Sequence, residues 1–97
     1  MEKQEETRKR IMELFSKVPN LQRFIQVNRN RFNELSDREI EILTLVAEGM
    51  NNSDIAARLE ISRATVQNHR AGIRKKLPIN NQADYIKYAL AFGLISF

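Results

Sequence analysis

An all-α fold is what this sequence predicts, and three observations predict it. The 97 residues include only three glycines and two prolines, which favours long helices joined by short turns over a sheet. Apolar residues recur at helical spacing in several separate stretches. Side chains that cap helix starts stand just before those stretches, at Ser36, at Asn51 to Ser53, at Ser62 and at Asn80 or Asn81. The expected architecture is a small helical bundle with four helices in residues 36–93, preceded by one or two N-terminal helices.

Residues Met1 to Arg10 are almost wholly polar. Ile11, Leu14, Phe15 and Val18 then fall at i, i+3, i+4 and i+7, an amphipathic helical stripe that Pro19 stops. Asn20 can cap a second short helix carrying Leu21, Phe24 and Ile25. The run Asn28 to Asn33 reads as a polar connection. Residues 1–32 are thus expected to be a helical extension or linker, and residues 33–97 the main domain.

From Leu35 the signals sharpen. Ser36-Asp37-Arg38-Glu39 is a capping box, in which Ser36 satisfies the N–H of Glu39 and the Glu39 side chain reaches back. Ile40, Leu43, Val46 and Ala47 give the next helix its apolar stripe. Asp37, Glu39 and Glu41 lie near its positive end, and Gly49 closes it. A short helix follows from about Asn52 to Leu59, with Ile55, Ala56 and Leu59 inward. A tight connection, Glu60-Ile61-Ser62, leads to another helix, and Ile61 is expected to plug the joint. Two such helices, with the small Ala56 at their crossing, form a helix-turn-helix pattern.

The second of that pair spans residues 63–77. Val66, Ile73 and Leu77 mark its buried stripe, while Gln67, Asn68, Ala71 and Lys75 point the other way. Arg63, Arg70, Arg74, Lys75 and Lys76 add five positive charges with no acid among them. Amides can pair bidentately with adenine, a small apolar residue can lie on a thymine methyl, and cations can sit on phosphates. The helix therefore suits the major groove of double-stranded DNA. Arg70, on the flank of the buried stripe, reaches either a phosphate or an acid of the Ser36–Glu48 helix. The run Arg74-Lys75-Lys76, at a helix end without acids, favours phosphate over a merely solvated face.

Pro78 blocks continuation, and a last helix runs from about Gln82 to Phe92, closed by Gly93. Ala83, Ile86 and Leu90 are expected in the core. Tyr85, Ala89 and Phe92 form an offset stripe suited to pairing with a second copy. The Ile11–Val18 stripe is the other candidate for self-association.

Composition narrows the partners. A net charge of +4 and a pI near 9.8 favour an acidic partner such as nucleic acid. The absence of cysteine excludes disulfides. No apolar run approaches the roughly 20 residues of a membrane span, and no signal-type segment opens the chain, so a cytoplasmic protein is expected. His69, the single histidine, has no partner for a metal site and sits beside the buried stripe as a half-buried packing residue. Capping and dipole effects account for Asp37, Glu39 and Glu41. With no nucleophile–base set and no glycine-rich phosphate loop, neither catalytic residues nor a cofactor are expected.

The stretch LSDREIEILTLVAEGMNNSDIAARLEISRATVQNHRAGIRKKL resembles the C-terminal DNA-binding domain of the LuxR/GerE-type transcriptional regulators. The likeness rests on L-S-x-R-E at Leu35 to Glu39, A-E-G at Ala47 to Gly49 and D-I-A-x-x-L at Asp54 to Leu59. It continues with I-S-x-x-T-V-x-x-H at Ile61 to His69 and Y-A-x-x-x-G-L-I at Tyr88 to Ile95. It implies a compact four-helix domain whose third helix reads the major groove and whose fourth helps pair two copies on DNA. Carried over by position, Gln67, Asn68 and Ala71 face bases. Asn52, Ser53, Thr65, Arg74 and Lys75 face the backbone, with Arg63 and Arg70 as further cations. Gln82 stands where many members have an arginine, and Pro78 where a glycine is usual. Gly72 sits within the reading helix, where it permits close approach of another helix or of the sugar-phosphate backbone.

The first 32 residues are too short for the receiver or ligand domain that usually precedes this one. They fit a stand-alone regulator or the end of a longer sensor. The function expected is a sequence-specific transcriptional regulator, a homodimer on DNA, with RNA polymerase as a possible further partner. The alternative is a helix-turn-helix interaction module (adaptor, antagonist or sigma-like domain) that reads no bases.

Overall fold

The structure, a computed structural model, describes residues 5, 6, 9, 10, 13 and 21–96. Five helices follow one another from residue 21: α1 Leu21–Phe32, α2 Asp37–Ala47, α3 Asn52–Leu59, α4 Arg63–Lys76 and α5 Gln82–Ala91. No strand occurs among the described residues. The four helices expected between residues 36 and 93 are all present. The expected stripe at Ile11–Val18, the stop at Pro19 and the cap at Asn20 lie outside the described residues.

Each of the last four helices begins on a side-chain cap. Ser36 Oγ accepts from the Glu39 N–H at 3.1 Å, and Glu39 Oε1 accepts from the Ser36 N–H at 2.8 Å, completing the capping box. Asn51 Oδ1 accepts from Asp54 N–H at 2.8 Å, and Ser62 Oγ accepts from Thr65 N–H at 3.0 Å. Of the two asparagines before α5, Asn81 is the cap, accepting from Asp84 N–H at 2.9 Å. Each bond satisfies an N–H that the first turn leaves without a helical partner. Gly49, at φ +96°, takes the chain out of α2 in a conformation that only glycine adopts freely. Glu60 ends α3 in the left-handed region at φ 56°.

The core lies between α2 and the helices around it. α2 packs against both α4 and α5, and α3 packs against α4. Ile42, Leu43, Ile55, Val66 and Ile73 are fully buried, and Leu77 nearly so. Each contributes roughly 1.5–3 kcal/mol of apolar burial. The stripe Val66, Ile73 and Leu77 therefore outweighs the penalty of about 1 kcal/mol for Gly72 in mid-helix. Ile61 packs half-buried against this core at the α3–α4 joint, as expected. On α2 the inward stripe is rotated from the expected one: Ile42 is fully buried and Ile40 only partly.

Residues 28–33 are not a polar connection. α1 runs through them to Phe32, because Asn28 has a partner in Tyr88 of α5 and Phe32 in Phe92 just beyond it. Asn28 Nδ2 donates to Phe24 O at 2.8 Å, and Asn28 Oδ1 accepts from the Tyr88 hydroxyl at 3.1 Å. Both ends of the buried amide are thus satisfied. Phe24 lies 5.0 Å from Tyr88, and Phe32 stacks on Phe92 at 4.1 Å between ring centroids.

The expected pairing stripe on the last helix is corrected by the same contacts. Tyr85 is 3% exposed and Ala89 is fully buried, while Phe92 lies under Phe32. α5 has α2 on one side and α1 on another, so Tyr85 and Ala89 are core and Phe92 is partly covered against it. Ala83, expected inside, is exposed instead.

Candidate nucleic-acid interface

The exposed side of α4 carries the features expected of it. With Val66, Ile73 and Leu77 buried, the helical repeat turns Gln67, Asn68 and Lys75 outward, and all three are exposed. Ala71, half-buried, completes that face. An amide pair beside a small apolar residue can read donor, acceptor and methyl patterns on base edges. α4 contains no acid, and Arg74, Lys75 and Lys76 crowd its last turn, where the helix dipole also favours cations.

The flanks are less uniform than the sequence suggests. Arg63, Arg74 and Lys75 are exposed and free to meet phosphates. Lys76 is committed elsewhere: its Nζ lies 2.7 Å from Glu39 Oε1 on α2. Arg70 does not pair with an acid of α2. Its Nη1 donates to Asn52 Oδ1 at 2.7 Å, and its Cζ stands 5.1 Å above the centre of the Tyr85 ring. Ser53 is exposed at the start of α3, beside the half-buried Asn52. Thr65 uses its N–H on the Ser62 cap, and its hydroxyl lies 2.7 Å from Ser62 Oγ.

Glu39 is the organising residue that the sequence did not reveal as such. Burial pushes its carboxyl up. Hydrogen bonds from Lys76 and Ser36 and the Lys76 charge outweigh this and hold it below the ordinary glutamate value. A Cβ on Gly72 would stand 2.5 Å from Glu39 Oε2. The glycine thus serves close approach of α2, the first of the two roles open to it. Gln82, in place of the family arginine, turns its amide to the end of α2 and donates to Val46 O.

A helix held by a short partner helix and by a half-buried ion pair to α2, with amides outward and cations at its end, defines a helix-turn-helix domain of the DNA-binding class. The family model of the bacterial regulatory proteins of the luxR type matches residues 33–89. The chain belongs to the luxR family of bacterial regulatory proteins. It is 47% identical over 62 residues to the uncharacterized response regulatory protein YgeK of Escherichia coli, covering 64% of this chain and 42% of YgeK. It is 42% identical over 66 residues to the oxygen regulatory protein NreC of Staphylococcus haemolyticus, covering 68% of this chain and 30% of NreC. It is 44% identical over 62 residues to the transcriptional regulatory protein MctR of Rhizobium johnstonii, covering 64% of this chain and 29% of MctR. The chain therefore spans less than half the length of these curated relatives. No helix among the described residues is long and apolar enough to cross a membrane.

Proposed function

We propose that the chain reads a specific DNA sequence in the major groove through α4 and regulates transcription from that site. One observation carries the reading: the acid-free α4 exposes Gln67 and Asn68 on the side opposite its buried stripe, with free cations beside them. Gln67, Asn68 and Ala71 take the base edges. Asn52, Ser53, Arg63, Thr65, Arg74 and Lys75 take the phosphates. Arg70, engaged by Asn52 and Tyr85, is left out of that set. The reading assigns the chain no catalytic step, places it in the cytoplasm with the DNA, and treats residues 33–97 as the DNA-binding domain with α1 as an extension docked on it. By family likeness it extends to two copies on half-sites about 34 Å apart, or a multiple of that. On this reading their contact does not use Tyr85 and Ala89, which are buried within the chain.

The test is a fluorescence anisotropy titration against a pool of random duplex DNA at several salt concentrations, with sequencing of the bound fraction. A steep salt dependence with an enriched, two-fold related motif supports specific reading and gives the half-site spacing. Steep dependence without enrichment would reduce the reading to phosphate attraction. No binding at low salt would overturn it and turn attention to protein partners.

A further inference from the structure

The pairing of Arg70 with Asn52 has a chemical direction. A guanidinium has only donors, so the amide atom that faces it must be the carbonyl oxygen, as the 2.7 Å contact from Nη1 to Oδ1 has it. The Asn52 amide cannot turn over without setting its NH2 group against a cation. Its Nδ2 is thereby fixed on the other side of the amide. No hydrogen bond among the described residues engages that nitrogen. The guanidinium is itself held in place, because it lies over the face of the buried Tyr85 ring on α5. Three helices thus meet on one side chain: Tyr85 holds Arg70, and Arg70 orients Asn52, the first residue of α3.

We infer that Arg70 is a positioning residue rather than a phosphate ligand: it presets the Asn52 amide so that Nδ2 is the donor offered to a DNA phosphate at the start of α3. The inference rests on the proposed DNA reading and deepens it. A pre-oriented donor loses no free energy to turning over on binding. The guanidinium charge behind the amide polarises it toward an anion. A cation that touched the phosphate directly would instead displace a counterion of its own.

The experiment uses the full chain and fluorescently labelled duplex DNA of mixed sequence, titrated over a range of salt. Arg70→Met, Asn52→Ala, the double variant and Asn52→Asp are compared with the unaltered chain, and the melting temperature of each is recorded. Arg70→Met and Asn52→Ala should each weaken binding about tenfold. The double variant should be no weaker than either, and Arg70→Met should leave the log–log salt slope unchanged. Asn52→Asp keeps an acceptor for Arg70 and makes it an ion pair. It should keep or raise the melting temperature while losing DNA affinity, a divergence that a purely structural role would not produce.

If Arg70→Met lowers the slope by about 0.9 and the two losses multiply, Arg70 touches phosphate itself and the inference is overturned. It is equally overturned if neither single variant changes affinity. Failure of the unaltered chain to bind would overturn the DNA reading and this inference with it. That outcome appears before any substitution is made, so the two failures are distinguishable. Should Arg70→Met fail to fold, the opposed effects expected of Asn52→Asp carry the test.

Discussion

Glu39 in the first turn of α2 and Lys76 in the last turn of α4 are joined by a 2.7 Å ion pair, with the Glu39 side chain 7% exposed and that of Lys76 34%. The same carboxylate closes the capping box of its own helix. One carboxylate therefore both pairs the N–H of Ser36 at the start of α2 and helps to place α4.

Acid should loosen this joint. The Glu39 carboxyl is held below its ordinary value of 4.5 in the folded chain. Its contribution is fully present above the unfolded value and is lost as pH falls through the folded one. Melting temperatures followed from about pH 7 down to about pH 3 should fall more steeply for the native chain than for Glu39→Gln. At neutral pH Glu39→Gln should cost about 1–2 kcal/mol, the pair being partly open to solvent. A gap between the two chains that does not narrow in acid would dissociate the pH effect from this residue.

Gly72→Ala should change sign with its surroundings. Alanine gains up to about 1 kcal/mol of helix propensity over glycine. Here its Cβ would stand 2.5 Å from Glu39 Oε2, on a carboxylate pinned by Ser36 and Lys76. The substitution should destabilise the native chain and stabilise a Glu39→Ala chain. Thermal denaturation of the four corners of that cycle checks it, and equal effects in both backgrounds would refute the steric account.

Alkali should release α1. Burial raises the Tyr88 phenol above its ordinary 10.0. The positive charge of Arg31 opposes that rise and the negative charge of Asp84 adds to it. The neutral phenol is the form that donates to Asn28. Its contribution is complete below the unfolded value and lost as pH rises through the folded one. Tyr88→Phe should cost about 1–2 kcal/mol at neutral pH by leaving Asn28 Oδ1 unpaired. It should also abolish the alkaline part of the melting profile assigned to this group. Phenolate absorbance that rises before any loss of helix signal would argue against coupling of the two events.

Base contacts and phosphate contacts should separate in mutants of α4. Asn68→Ala should relax sequence preference at one position by about 1–3 kcal/mol while non-specific affinity stays nearly constant. Lys75→Ala should weaken all duplexes alike and lower the salt slope by about one. Equal losses of Asn68→Ala on cognate and scrambled duplexes would remove Asn68 from base readout.

What was legible in the sequence was what neighbours decide. The capping box at Ser36, the caps at Asn51 and Ser62 and the inward stripe of α4 all involve residues a few positions apart, and each is where the sequence indicates. The exposed amides Gln67 and Asn68 follow from the same local repeat. The contacts that escaped it are distant in the chain. Asn28 is polar and reads as loop until Tyr88, 60 residues on, is known to bond it. Lys76 reads as one more free cation until Glu39, 37 residues away, claims it. Tyr85 and Ala89 read as a second apolar face of α5, because periodicity counts faces but does not say how many neighbours a helix has. Gly72 was the one local hint of a long-range contact, since a glycine in mid-helix is unfavourable without a reason for it.

The side-chain caps bear on the order in which the chain folds. Four helix starts close through bonds spanning three residues, so they can form early, with little loop entropy to overcome. α1 is different, because the polar tether that docks it, from Asn28 to Tyr88, spans 60 residues. The α2–α5 bundle is therefore expected to form first and α1 to dock on Tyr88 and Phe92 later. In native-state hydrogen exchange, the amides of α1 should therefore open at lower free energy than those of α2.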